Sequence, residues 1–367
     1  MSDRLDVLVV GGGIIGLACA RELALAGLRV EVLERLEAGA AASLAAAGML
    51  SPLAELAPGP LLEACRDSRD LWLSWVPALY EETGLSIEHD ASGSLLVALD
   101  EEEETWLDEV VEAASGMGEI TDEIELSVLA RLVPDISPAV RRALLVHGDH
   151  RVDNVQACTV LAIAAQRAGA KLTYGVEVER VERFGDGVRV VAGDRTREAD
   201  RLLLAAGAWS GRIPGLPELP VRPVRGQMLL VAGVSWPWSG CLRGRHLYSV
   251  RRGETGLLVG ATVEEAGFAV HPTVAGIGGL LAFAHRTLPG LAEARLETVW
   301  AGLRPGTPDD LPILGAIPGW PVIAATGHFR NGILLAPWTA RAVARLILSG
   351  EAEEAAPFRP ERFRIES

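Results

Sequence analysis

Cysteine, lysine and net positive charge are all scarce in this sequence. Its 367 residues include four cysteines, Cys19, Cys65, Cys158 and Cys241. None stands in a C-x-x-C pair, and their wide spacing argues against a metal knuckle. They read as buried free thiols of a reducing cytoplasm. Lys171 is the one lysine, so nearly all positive charge is arginine. Lys+Arg is 34 against Asp+Glu 49, a net charge of −15. Such a field repels a polyanion, which argues against a nucleic-acid partner. The seven histidines form no H-E-x-x-H set, so no catalytic metal is expected. Long apolar runs are also lacking. Val7 to Ala20 is glycine-rich and falls short of the roughly 20 residues a membrane span needs. It also begins too early for a signal peptide. The expectation is a cytoplasmic chain with no membrane partner. No internal repeat or long linker is visible.

What is present is ordinary globular material, 49% hydrophobic and 23% charged, long enough for about two domains. The first 35 residues read as a βαβ unit. Val7-Leu8-Val9-Val10 is an unbroken apolar run, as in a strand buried on both faces of a parallel sheet. Gly11-Gly12-Gly13 is a turn, Ile14 to Ala26 a helix with Gly27 past its end, and Arg29 to Glu34 a second strand. Further helices are expected around Leu61–Thr83, Asp153–Gly169 and Ala275–Arg286, and one ending at Ser349. Further strands are expected near Lys171–Arg183, Gly187–Val191, Arg201–Gly207, Arg222–Val231, Leu257–Val263 and Val322–Ala325. The acidic run Glu101–Glu104 suits a helix's first turn, where negative charge meets the dipole.

Gly11-Gly12-Gly13-Ile14-Ile15-Gly16 fits G-x-G-x-x-G between strand and helix. Gly11 permits the tight turn, Gly13 lets a pyrophosphate approach the backbone, and Gly16 lets helix and strand pack closely. The helix N-terminus then offers N–H groups to phosphates. Glu34 ends the second strand eighteen residues after Gly16, where a carboxylate accepts from ribose hydroxyls. This fingerprint alone leaves NAD and FAD open. Three further segments bear on the choice. Ala42 to Met49 is a run of small residues able to lie flat against an extended cofactor. Leu203 to Ser210 is a strand ending in small residues. Gly327 to Leu334 leads into a helix whose first turn tolerates Pro337.

Four blocks, Gly11–Glu34, Ala45–Leu50, Trp300–Asp309 and Gly327–Pro337, carry a family likeness. The sequence resembles the D-amino acid oxidase family of FAD enzymes, from about Leu5 to Gly350 and least around Glu101–Pro134. The resemblance implies an α/β fold (α+β mixed), with a Rossmann-like FAD-binding domain interleaved with a substrate domain on a mixed, largely antiparallel sheet. It divides the chain into 1–85, 145–215 and 300–367 for FAD, and 86–144 and 216–299 for substrate. It implies non-covalent FAD. Beside Gly11, Gly13 and Gly16, it places Ile14, Ile15, Glu34 and Arg35 at the adenosine side and the phosphates. Ala42, Ser43, Ala47, Gly48 and Met49 line the pyrophosphate and flavin, and Val178 offers its backbone to the adenine. Gly207 and Trp209 follow the second dinucleotide-contacting strand. His328, Phe329, Arg330, Asn331, Gly332, Ile333 and Leu334 wrap the isoalloxazine. Arg304 holds a substrate carboxylate as a planar two-bond fork, with Arg330 and Tyr248 nearby. Where relatives often have proline after Tyr-x-Val, this chain has Arg251.

The implied reaction moves a hydride from Cα of a small amino acid, glycine foremost, to flavin N5. Water turns the imine into the 2-oxo acid and ammonia, oxygen yields hydrogen peroxide, and the product feeds thiamine thiazole synthesis. No residue is needed as a general base, since a neutral amine loses hydride directly. D-amino acids, sarcosine or proline-like amines fit similar motifs, and a quinone can replace oxygen. A non-catalytic flavin-binding protein is a further alternative. Arg304 paired simply with a nearby carboxylate such as Asp309, and His246 as an exposed strand residue, are the plainer readings of those positions. The Trp236-Pro237-Trp238 cluster reads as packing or an oligomer contact, and a homo-oligomer is expected.

Overall fold

A computed structural model describes residues 4–53 and 59–364. Elements are numbered along the chain. The first sheet contains β1 (Leu5–Val10), β2 (Val30–Leu33), β9 (Lys171–Thr173), β10 (Arg180–Phe184), β11 (Gly187–Ala192), β12 (Arg195–Leu204), β18 (Ile313–Ala316) and β19 (Val322–Thr326). Its centre is parallel: β1 lies between β2 and β12, β9 joins β2, and β19 joins β12. Val7 to Val10 are buried, as strands covered on both faces require. Helices α1 (Ile14–Leu25), α3 (Gly59–Thr83), α6 (Asn154–Arg167) and α8 (Ala336–Ser349) pack together with one face of this sheet in one apolar core.

The second sheet holds β5 (Ser94–Ala98), β6 (Thr121–Glu123), β7 (Arg142–Val146), β13 (Arg222–Ala232), β14 (Cys241–Arg243), β15 (Tyr248–Arg252), β16 (Gly256–Gly260) and β17 (Arg295–Gly306). Every pair in it is antiparallel except β14 with β5. Helices α4 (Glu101–Gly116), α5 (Leu126–Leu132) and α7 (Val274–Thr287) accompany it. A small third sheet joins β3 (Met49–Leu50), β4 (His89–Asp90) and β8 (His150–Val152). Together with the four-residue helix α2 (Ala42–Ala45), β3 and β8 carry the chain between the two large sheets. The fold is mixed α/β.

Local chemistry sets several boundaries. Gly27, at φ +84°, closes α1 one residue earlier than expected. Asp100 accepts from the Glu103 N–H at 3.0 Å, so Glu101 to Glu104 are the first turn of α4. The strand expected over Lys171–Arg183 is two strands. After β9, Gly175 turns at φ +69° and Val176 donates to the Glu34 carbonyl at 3.0 Å, which draws 174–179 out of the sheet. Strand β16 stops at Gly260 and not Val263, because Thr262 and Glu264 bond back to β13. Trp236 is buried in the second sheet's core with Trp238 packed against it, so that cluster is packing. All four cysteines are buried and free. Among the described residues, no helix is long and apolar enough to cross a membrane.

Candidate active site

A cavity of about 580 Å³ runs from the C-terminal ends of β1, β2 and β12 to the face formed by β13, β15 and β17. That volume lies within the range of small-molecule sites.

One end is built from the glycine-rich loop. Gly11 has φ +109°, and a Cβ there would stand 2.3 Å from the Ala205 carbonyl oxygen. A Cβ on Gly16 would stand 2.0 Å from the Gly11 carbonyl oxygen. These two positions therefore need glycine, so that loop, β12 and α1 can touch. Gly13, Ile14 and Ile15 line the cavity at the start of α1, where Ile14 N–H donates to Ser43 Oγ at 3.0 Å. Glu34 holds the loop as well as facing the cavity. Its two oxygens accept from Gly12 N–H at 2.7 Å and Leu36 N–H at 2.9 Å. A carboxylate has about four acceptor positions, so these bonds are compatible with further ones to hydroxyls. Arg35 lies 3.8 Å over the Trp209 ring, and both residues line the wall, as do Val178 and Gly207.

The middle is a strip of small residues. Ala42, Ser43, Ala47, Gly48 and Met49 all line it. Gly48 has φ +83°, and a Cβ would meet the Val152 carbonyl oxygen at 1.9 Å. Only glycine lets this strip lie flat on β8. Trp300 Nε1 donates to the Ala45 carbonyl at 3.1 Å, and a Cβ on Gly302 would reach Ala45 at 2.5 Å, which ties the strip to β17.

The segment leading into α8 closes the other side. His328, Phe329, Arg330, Gly332 and Ile333 line the cavity, with Phe329 at φ +45° and Arg330 exposed. His328 is buried with Nε2 3.0 Å from Thr339 Oγ1, and burial pushes it down to about 3. It is a neutral wall residue at physiological pH.

Three expected contact residues stand behind the wall. Gly16 packs against Gly11. Asn331 N–H donates to the His328 carbonyl at 2.8 Å, and the Asn331 carbonyl accepts from Leu335 at 2.8 Å. Leu334 is buried, its carbonyl accepting from Ser68 Oγ at 2.6 Å and Trp72 Nε1 at 3.1 Å. The α8 approach is a tight turn, and only part of it faces inward.

At the far end Arg304 projects from β17. Its Nη1 donates to the Thr262 carbonyl at 3.0 Å. The guanidinium lies over Gly226 of β13, where a Cβ would come within 2.4 Å of it. Asp309 is ion-paired to Arg362 at 2.8 Å. Tyr248 is buried opposite Gly260 and donates to Met228 Sδ at 3.9 Å. Arg304, Tyr248, Gly226 and Met228 all line the cavity. His246 is exposed in the turn before β15, outside the strand expected to hold it. Sequence reasoning missed Gly226, Met228 and Thr262. A glycine inside the strand Arg222–Val231 was the one usable signal, since such glycines mark close approach.

A family model described as FAD dependent oxidoreductase matches residues 6–346. The chain is 38% identical over 369 residues to the glycine oxidase of Pseudomonas aeruginosa, covering 98% of this chain and 99% of that one. It is also 38% identical over 374 residues to the bifunctional protein ThiO/ThiG of Synechocystis sp., covering 99% of this chain and 55% of the relative. The chain thus spans about half the length of the bifunctional relatives it matches. Among solved structures, glycine oxidase from Geobacillus kaustophilus aligns with a TM-score of 0.94 at 33% identity, covering 99% of this chain and 100% of that one.

Proposed function

Because the chain belongs to the family of FAD-dependent oxidoreductases, we propose that it oxidises a small amino acid, glycine foremost, to the imine. Water converts the imine to glyoxylate and ammonia, and oxygen is reduced to hydrogen peroxide. Two relatives and one structural neighbour carrying the name glycine oxidase, at 33–38% identity, support the substrate. The ThiO/ThiG relatives support a place ahead of thiamine thiazole synthesis.

The residues present fit FAD. A Cβ-free cradle at Gly11, Gly13 and Gly48, the N-terminus of the twelve-residue helix α1, and the Glu34 carboxylate line one continuous cavity. Together they offer backbone donors for phosphates and an acceptor for ribose. Ile14, Ile15, Glu34, Arg35 and Val178 would hold the adenosine side, the Ala42–Met49 strip the middle, and His328, Phe329, Arg330, Gly332 and Ile333 the ring, with no covalent link. FAD, when bound, supplies the hydride acceptor. The chain supplies orientation. Arg304 offers a planar fork to a carboxylate, and such placement lowers a barrier by several kcal/mol. Glu34, Glu177 and Glu179 are the lining acids among the described residues, and all belong to the dinucleotide end. Among the described residues no carboxylate lines the cavity beside Arg304, and His328 is held neutral. Substrate with an already neutral amine meets that requirement.

The two-domain division into 1–85, 145–215 and 300–367 against 86–144 and 216–299 belongs to the same reading, except that β17 (Arg295–Gly306) pairs wholly within the second sheet, so residues 300–306, Arg304 included, go with the substrate side. A cytoplasmic location, in keeping with four free buried cysteines, and a homo-oligomeric state belong to that reading as well.

The single observation that carries the proposal is Arg304 in one cavity with the glycine-rich loop. The test is peroxide release by the purified yellow protein from glycine, sarcosine, D-alanine and D-phenylalanine, with Arg304→Ala beside it. Glycine turnover that weakens sharply in affinity in the variant is expected. An unchanged apparent affinity would remove the anchor, and preference for a bulky D-amino acid would replace the substrate.

A further inference from the structure

Strand β13 is paired on both sides only over part of its length. Its pairing with β16 ends at Met228–Gly260, while pairing with β17 continues to Arg222–Gly306. Residues 261–273, which connect β16 to α7, take over the vacated edge. Arg225 and Glu264 exchange both backbone hydrogen bonds, at 2.9 and 3.0 Å, and Thr262 N–H donates to the Gln227 carbonyl at 3.3 Å.

Side chains reinforce that seam. One Glu264 oxygen accepts from Thr262 Oγ1 and from Gln227 Nε2 at 2.6 Å. The other accepts from Arg225 Nε at 3.2 Å and from Arg225 Nη2. Gln227 N–H donates to Thr262 Oγ1 at 2.9 Å. The far end of the segment is clasped by the same two residues. Gln227 Oε1 accepts from Thr273 N–H at 2.7 Å, and Arg225 Nη1 donates to the His271 carbonyl at 3.3 Å. The Glu264 carboxylate thus gathers four donors from Thr262, Gln227 and Arg225, with a guanidinium supplying the charge-assisted pair.

Thr262 joins this network to the cavity. Its hydroxyl is held by Glu264 and Gln227, while its carbonyl oxygen receives Arg304 Nη1 at 3.0 Å. A backbone carbonyl is a neutral acceptor, so it fixes the plane of the guanidinium without neutralising it.

We propose that Glu264 is a positioning residue for substrate binding: through Thr262 it fixes the carbonyl that orients Arg304. The inference rests on the reading of Arg304 as the carboxylate anchor. Glu264 lies outside the cavity lining and acts on ground-state capture, so its loss shows in KM and leaves kcat nearly untouched.

The test uses the FAD-loaded full chain with glycine, and acetate as a non-reacting carboxylate probe read by the change in flavin absorbance. Glu264→Ala raises KM for glycine about tenfold, with kcat within about twofold, and weakens acetate binding in parallel. Thr262→Val removes only the hydroxyl at nearly constant volume and produces a smaller shift in the same direction, about threefold, which Thr262→Ser restores. In an Arg304→Ala background the same Glu264→Ala change alters kcat/KM by less than about twofold, because coupled residues are not additive. Should Arg304→Ala itself leave KM and acetate binding unchanged, the anchor reading fails. Should Arg304→Ala weaken both while the Glu264 effect falls on kcat alone, is absent, or persists undiminished in the Arg304→Ala background, the positioning inference fails and the anchor stands.

Discussion

The two ends of the cavity are made in opposite ways. The dinucleotide end is chiefly backbone from one continuous stretch, Val7 to Glu34, with glycines where a Cβ would collide. The substrate end is side chains from β13, β15 and β17, brought together by antiparallel pairing across more than eighty residues of sequence. A backbone cradle tolerates little at its glycines and much at its side chains. A side-chain cluster behaves the other way round.

That contrast sets an order of expected effects. The largest is Gly16→Ala, whose Cβ would lie 2.0 Å from the Gly11 carbonyl. It should cost about 3 kcal/mol and release FAD, seen as a lower Tm and a colourless preparation. A yellow, fully stable variant would break the cradle side of the comparison.

The next effect concerns pH and the wall between the ends. His328 is pushed down to about 3 and His150 to about 4, both first by burial. Their unfolded forms take protons near 6.5, so the stability they lend is present above that pH and falls as pH drops toward 4. Burial raises Asp149 to about 6, so its contribution runs oppositely, present below about 3.8 and lost as pH rises through 6. Two histidines outweigh one carboxyl. Melting scans from pH 7 to 4.5 should show net loss, and His328→Gln should flatten that loss by roughly 2 kcal/mol. An unaltered slope would mean that His328 titrates normally.

Third is Arg304→Lys, which keeps charge but loses the planar fork. Glycine kcat/KM should fall by about thirtyfold, equivalent to about 2 kcal/mol, while FAD and Tm are kept. Loss of FAD would instead show the two ends to be mechanically inseparable. The smallest is Tyr248→Phe. Its hydroxyl donates to a weak sulfur acceptor at 3.9 Å, so KM for glycine should rise only about threefold. A tenfold or greater rise would place that hydroxyl on the carboxylate beside Arg304.

The same contrast explains what is legible in the sequence alone. The βαβ start was legible because strand period, turn glycines and Glu34 lie within one short window. The double duty of Glu34 was not, since its bonds to Gly12 and Leu36 depend on loop geometry. Arg304 stood out only through the Trp300–Asp309 block. Its neighbours Gly226 and Thr262 depend on the β13–β17 register and on where β16 stops, and neither leaves a local periodic mark. In the Gly327–Leu334 turn no period separates inward from outward residues. Asn331 and Leu334 were therefore expected to face the ring and instead support the turn.

Strand β17 touches the middle of the cavity and its far end on one face: Trp300 bonds Ala45, Gly302 abuts Ala45, and Arg304 reaches Thr262. Alternate residues on a strand are spaced by about 7 Å, so this face works as a ruler between the flat strip and the guanidinium. A ruler of this kind cannot stretch. Inserting or deleting one residue between Gly302 and Arg304 would turn the arginine to the opposite face of the sheet, so natural variation here must proceed by exchange of residues at constant length.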